Sequence, residues 1–172
     1  MHSYLSLLAG FAANFMHTYA HGLVQKPATR QPGPATEAVC GKTMVRFYKD
    51  DGTSYPEALL RANPGGLSDG YDPSKCNLWL CKGYQFPDNA ANVHQYKPGD
   101  IIEIEVWIRI PHRGHANVSI VDTATNSIIG EPLLSWPQDY AASGNPPAVQ
   151  TNFNVTMPEL GGSCTEPGAC VS

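Results

Sequence analysis

Six histidines are spread through the 172-residue chain. One of them, His21, directly follows Thr18-Tyr19-Ala20, which approximates the small-x-small site where secretory leaders are cut. Cleavage there makes His21 the first residue of the mature chain, with a free α-amine beside its imidazole. Two nitrogens on one residue can close a chelate ring on a single metal ion. A second imidazole then completes a planar three-nitrogen set, which suits the tetragonal preference of Cu(II). Deprotonating the amine costs little near neutral pH, because its ordinary pKa is about 7.7–8.0.

Three later histidines can supply the second imidazole. His94 sits in Asn92-Val-His-Gln-Tyr96, where a solvated loop residue is the plainer reading. His112 and His115 lie in and just after Pro111-His-Arg-Gly114, a turn between two strand-like runs. Strand parity places His115 on the face of Asn117 and Ser119, whereas His112 belongs to the turn itself. His112 is therefore the favoured ligand, with His115 as the alternative.

The leader reading rests on more than the cut site. Met1 to Ala20 contains no Lys, Arg, Asp or Glu. Its apolar stretch (Leu5, Leu7, Leu8, Ala9, Phe11, Ala12, Ala13) is too short to span a bilayer. Residues 1–20 are thus expected to be a signal peptide and residues 21–172 a secreted, extracellular domain. A net charge of -4 without any Lys/Arg cluster argues against nucleic acid or an anionic membrane surface as partner. Sixteen glycines and 15 prolines argue against a helix bundle, since helix interiors exclude both. With 42% apolar residues the chain is no disordered tail. A compact, turn-rich, all-β monomer is the expectation.

All five cysteines (Cys40, Cys76, Cys81, Cys164, Cys170) follow the cut, as in a disulfide framework from an oxidising compartment. Their spacing does not suit zinc. An odd count leaves one thiol over, and the sequence does not dictate the pairing. Two sequons, Asn117-Val-Ser119 and Asn154-Val-Thr156, are compatible with glycosylation on exposed strand faces.

The elements that must position these groups read as strands and long loops. His21 to Cys40 is Pro/Gly-punctuated and reads as an extended arm. Thr43 to Lys49 reads as a strand closed by Asp50-Asp51-Gly52. Pro56 to Ala62 is the one short helix, with Pro in its first turn and Gly65-Gly66 after its end. Leu67 to Gln95 is irregular. Ile102, Ile104, Val106, Ile108 and Ile110 alternate strictly with Glu103, Glu105, Trp107 and Arg109, which makes a half-buried antiparallel strand. Alternation resumes with Ala116, Val118 and Ile120 inward and Asn117 and Ser119 outward. Ser127 to Leu134 and Thr151 to Met157 are further strands, and Ser135 to Pro147 is a loop. Strands at this spacing predict an antiparallel β-sandwich.

Other conspicuous residues have plain readings. Trp107 is expected to pack under a loop, and Trp79 to plug the core beside a disulfide. Tyr140 is a loop tyrosine. Glu103 and Glu105 form a solvated strand face, not a catalytic pair.

Taken in order, His21-Gly22 after a leader, Lys26-Pro-Ala-Thr-Arg30, Cys76-Asn-Leu-Trp-Leu-Cys81 and Pro111-His-Arg-Gly-His-Ala-Asn117 resemble the chitin-binding type-4 domain family. That family includes the copper-dependent lytic polysaccharide monooxygenases, and the chain is most similar to small fungal secreted members over essentially all of 21–172. The resemblance implies an immunoglobulin/fibronectin-III-like sandwich with one copper ion in a histidine brace. His21 gives amine and imidazole, and His112 the third nitrogen. It further implies an external electron donor and oxidative attack on a polysaccharide surface such as chitin, cellulose or a cell-wall glycan. Members of the family continue past the position of Cys170 into an aromatic-rich strand bearing the axial residue. The expectation is therefore a domain lacking its last strand, and no axial residue is assigned. Three classes follow: an oxidative enzyme, a copper-binding or copper-delivery protein of the same fold, or a metal-free carbohydrate-binding module.

Overall fold

The computed structural model describes residues 21–171. The expected signal peptide, residues 1–20, lies outside them. The described residues form six strands: β1 (His21–Lys26), β2 (Ile101–Ile110), β3 (Gly114–Asp122), β4 (Ser127–Tyr140), β5 (Asn152–Thr156) and β6 (Cys170–Val171). They form two antiparallel three-stranded sheets, ordered β1-β2-β5 and β4-β3-β6. The fold is thus the β-sandwich that the alternating runs predict. Ile104, Ile120 and Val155 are buried inside it, and Trp136 of β4 meets Phe153 of β5 edge-on at 4.9 Å, joining the sheets.

β2 is the backbone of the first sheet, and its register follows from strict alternation. The inner isoleucines and Val106 are more buried than Glu103, Trp107 and Arg109. β4 runs six residues past its expected end, through Tyr140. From Val118↔Leu134 to Ile120↔Ile129, β3 advances two residues while β4 advances five, a bulge that absorbs Pro132. Ser119, expected to face outward, is buried and donates to Asn117 Oδ1 at 2.8 Å.

Two expectations fail between the first two strands. The arm read over His21 to Cys40 begins in a strand, β1, and ends inside helix α1 (Pro34–Asp50), which also takes in the segment read as a strand at Thr43–Lys49. Cys40, Met44 and Tyr48 repeat every four residues, so a helix collects them on one buried face. What makes the helix possible lies far away in sequence. Asp88 accepts from the backbone N–H groups of Gly33 (3.0 Å), Ala35 (2.9 Å) and Thr36 (2.7 Å) and from the Thr36 hydroxyl (2.7 Å). Burial pushes the Asp88 carboxyl up, but these bonds outweigh it and hold the group below the usual carboxylate value. Mid-helix, Gly41 breaks the run at φ +81°, and Asp69 restarts it by accepting from Thr43 N at 2.6 Å. A Cβ on Gly41 would come within 2.4 Å of Asp69 Oδ1.

The expected helix is α2 (Pro56–Ala62), and α3 (Ala148–Thr151) is a single turn. Short 3-10 turns follow at Cys81–Gly83 and Phe86–Asn89. The largest fully buried side chains lie outside the sandwich. Cys40, Met44, Val45, Tyr48, Leu59 and Cys76 close a core around α1 and α2, stapled by the Cys40–Cys76 disulfide.

Candidate metal centre

The antiparallel pairing of β1 with β2 sets His21 opposite Ile110, at the end of β2. His112 follows two residues later, within about 7 Å of further chain. It is half-buried in the link, residues 111–113, that carries the chain from one sheet to the other. His115 comes after that crossing. It stands exposed on β3 in the opposite sheet. His94 lies before the far end of β2, a strand whose ten residues span roughly 30 Å. There it stacks on Tyr96 at 6.0 Å, exposed to solvent. The fold therefore brings His112 to the His21 end of the sandwich and leaves His94 at the other.

His21 itself is half-buried, and its Nδ1 is fully buried with no hydrogen-bond partner among the described residues. An unsatisfied buried imidazole nitrogen is costly, and native structures rarely leave one without a purpose. Only Nδ1 can close a six-membered ring with an α-amine on the same residue. The orphaned atom is thus the one a brace at His21 needs. Among the described residues no three His, Cys, Asp or Glu side chains gather as a metal-holding group. A set of two imidazoles and one amine requires no such trio.

The walls of this end come from distant segments. Tyr55 presents its ring to the His21 imidazole at 5.2 Å between centroids, inclined at 66°. Its hydroxyl accepts from Arg61, whose guanidinium also lies over the Tyr55 ring at 5.4 Å. The loop before Tyr55 is pinned to β2, where Arg109 donates to Asp51 Oδ1 at 2.7 Å and to Thr53 Oγ1 at 3.1 Å. Burial raises the Asp51 carboxyl, yet hydrogen bonds from Thr53 and the Arg109 charge bring it below its ordinary value. Lys82, lowered by burial, donates to Gly52 O and sits 5.0 Å from the Tyr48 ring, tying the loop to the stapled core. Beside His112, Arg113 pairs with Asp139 at 2.9 Å. Asp139 and Ala141 hold positive φ (61° and 55°), and the Gln150 side chain bridges them. Tyr140, expected in a loop, ends β4 half-buried and donates to Gln150 O at 3.0 Å.

Tyr55, Arg61, Asp51 and Thr53 were not legible as site residues. The only signal was a Tyr preceding a Pro-initiated helix, which marks a helix start and not a neighbour of His21.

Several other readings need correction. Cys40 pairs with Cys76 and Cys164 with Cys170, which leaves Cys81, grouped with the disulfide cysteines, as the unpaired thiol. Trp79 is no core plug: Leu78 fills the buried position, and Trp79 is 64% exposed. Trp107, expected to pack under a loop, is 47% exposed on the outer face of β2. Glu103 is solvated as expected and pairs with Lys26. Both sequon asparagines, Asn117 and Asn154, are exposed.

No protein-family model matches the chain, and a comparison with curated proteins finds no match. Fold and site together describe a disulfide-stapled β-sandwich with an orphaned imidazole at one end. Among the described residues no helix is long and apolar enough to cross a membrane.

Proposed function

We propose that the chain is a secreted mononuclear copper protein that oxidises a polysaccharide such as chitin or cellulose. The buried, unpartnered Nδ1 of His21, whose register partner Ile110 lies two residues before His112, carries this reading. After cleavage behind Ala20, the His21 amine and Nδ1 bind as a chelate, and His112 supplies the third nitrogen. Binding through Nδ1 requires a neutral imidazole with its proton on Nε2. Bound copper supplies one-electron chemistry with an external donor and oxygen or peroxide, directed at a C–H bond beside a glycosidic link. The residues of the chain hold and orient it. Tyr55 walls the first imidazole, and the crossing link fixes His112 between two sheets. The sequon asparagines Asn117 and Asn154 are exposed on strands, open to the N-glycosylation of an extracellular protein.

Cu(II) titration of protein beginning at His21 tests the reading. One ion binds tightly, and His112→Ala or a glycine inserted ahead of His21 abolishes tight binding. Absence of 1:1 binding rejects the copper site, and loss of binding in His115→Ala instead of His112→Ala overturns the ligand assignment. Incubation with insoluble chitin or cellulose plus ascorbate then releases oxidised oligosaccharides. Tight binding without such products leaves a copper-binding or copper-delivery protein.

A further inference from the structure

We propose that Tyr55 is a positioning residue that fixes the rotation of the His21 ring, an inference that rests on the copper reading above. Metal-binding imidazoles are ordinarily aimed by a hydrogen bond at their other ring nitrogen, and loss of such an outer partner typically costs about 10- to 100-fold in metal affinity. At His21 the nitrogen that must face the ion is buried and, among the described residues, unpartnered, so what packs against the ring bears on its rotation. The edge-to-face contact with Tyr55 is a directional interaction that can set it.

The backbone around Tyr55 is held on both sides. Downstream, its carbonyl accepts from Ala58 N (3.0 Å) and Leu59 N (3.2 Å), the first turn of α2. Leu59 is fully buried and anchors that helix in the stapled core. Upstream, Ser54 N donates to Asp51 O at 3.1 Å, Thr53 and Ser54 are buried, and Arg109 ties Asp51 to β2. Arg61, one turn and a half along α2, clamps the ring through its hydroxyl and its face. The ring is thus held from the helical core while it touches the first residue of the sheet. Arg109 serves both ends, because it sits one residue from Ile110, the partner of His21.

Metal-free protein beginning at His21 is compared as wild type, Tyr55→Phe, Tyr55→Leu and Arg109→Gln. Two readouts are taken: long-range proton–nitrogen NMR of the His21 ring, and Cu(II) affinity by calorimetry. Tyr55→Phe keeps the ring and is expected to keep the His21 signals and the wild-type affinity. Tyr55→Leu moves the His21 ring signals and weakens Cu(II) binding by about tenfold. Arg109→Gln, an exposed change that leaves Tyr55 in place, moves the signals in the same direction by less. Unchanged His21 signals in folded Tyr55→Leu overturn the proposal, as does an unchanged Cu(II) affinity. Should Tyr55→Leu fail to fold, unchanged signals in Arg109→Gln overturn it. If the wild type binds no copper, the copper reading falls, and the metal-free NMR arm still decides whether Tyr55 holds the ring.

Discussion

Asp88 closes the amino end of α1 from 52 residues away, and removing it is the sharpest test of how this fold is held. Its Oδ2 accepts from Gly33 N, Thr36 N and Thr36 Oγ1, and its Oδ1 from Ala35 N. A hydrogen bond to a charged group contributes about 1.5–3 kcal/mol, and a carboxylate at a helix N-terminus adds about 0.3–1 kcal/mol. Four such bonds on one carboxylate are not additive, and water reaches part of this site once the side chain is gone. Asp88→Ala is therefore expected to cost about 3 kcal/mol in urea unfolding at neutral pH, with the m-value unchanged. Asp88→Asn keeps one acceptor oxygen and loses the charge, and falls between. The penalty also has a pH signature. The folded carboxyl is held below its ordinary value, so its stabilisation is fully present above the unfolded value of about 3.9. It is lost as pH falls further, through the folded value, and there the gap between Asp88→Ala and wild type must narrow. A cost below about 0.5 kcal/mol at neutral pH, within the range of ordinary surface substitutions, refutes the capping account.

Two further outcomes follow from the stapled core. Gly83→Ala places a Cβ 2.6 Å from Cys76 Sγ at φ +81°, and overpacking with left-handed strain should cost at least about 2 kcal/mol in chemical denaturation. Wild-type stability in that variant refutes the packing. Denatured, unreduced protein should titrate with a thiol reagent as one thiol per chain, Cys81. In the native state that thiol should react more slowly than a free cysteine at the same pH, because burial pushes it up more strongly than Arg30 pulls it down. Three titrating thiols would show that one of the two disulfides does not form.

How far the sequence spoke depended on whether an element carries its own signals. β2 does: five alternating apolar positions fix its faces, and the Lys97–Asp100 turn fixes its start. α2 does as well, with Pro56 at its first turn. α1 does not. Its amino end has Gly33 at the N-cap position with no side-chain cap, and the capping carboxylates of Asp88 and Asp69 lie beyond any local window. Trp79 was misread for a related reason. The reading assumed that its flanking cysteines mark buried chain on both sides, whereas only Cys76 is bonded and the chain turns outward before Cys81.

The same distinction separates the two halves of the candidate site. His21 and His112 could be picked out because their chemistry depends on residue type, chain position and one strand register. Tyr55 could not, because its place beside His21 depends on a loop clamped between two bodies that the sequence does not visibly connect. One body is the disulfide-stapled helical core, reached through Leu59 and Lys82; the other is the sheet, reached through Arg109. This arrangement has a mechanical consequence. β1 is an edge strand of its sheet, and His21–Val24 are only half-buried. The helical core, fully buried at Cys40, Met44, Leu59 and Cys76, is tied to that end through the loop of residues 51–55. Damage to the staple should accordingly loosen His21 before it melts the sheet.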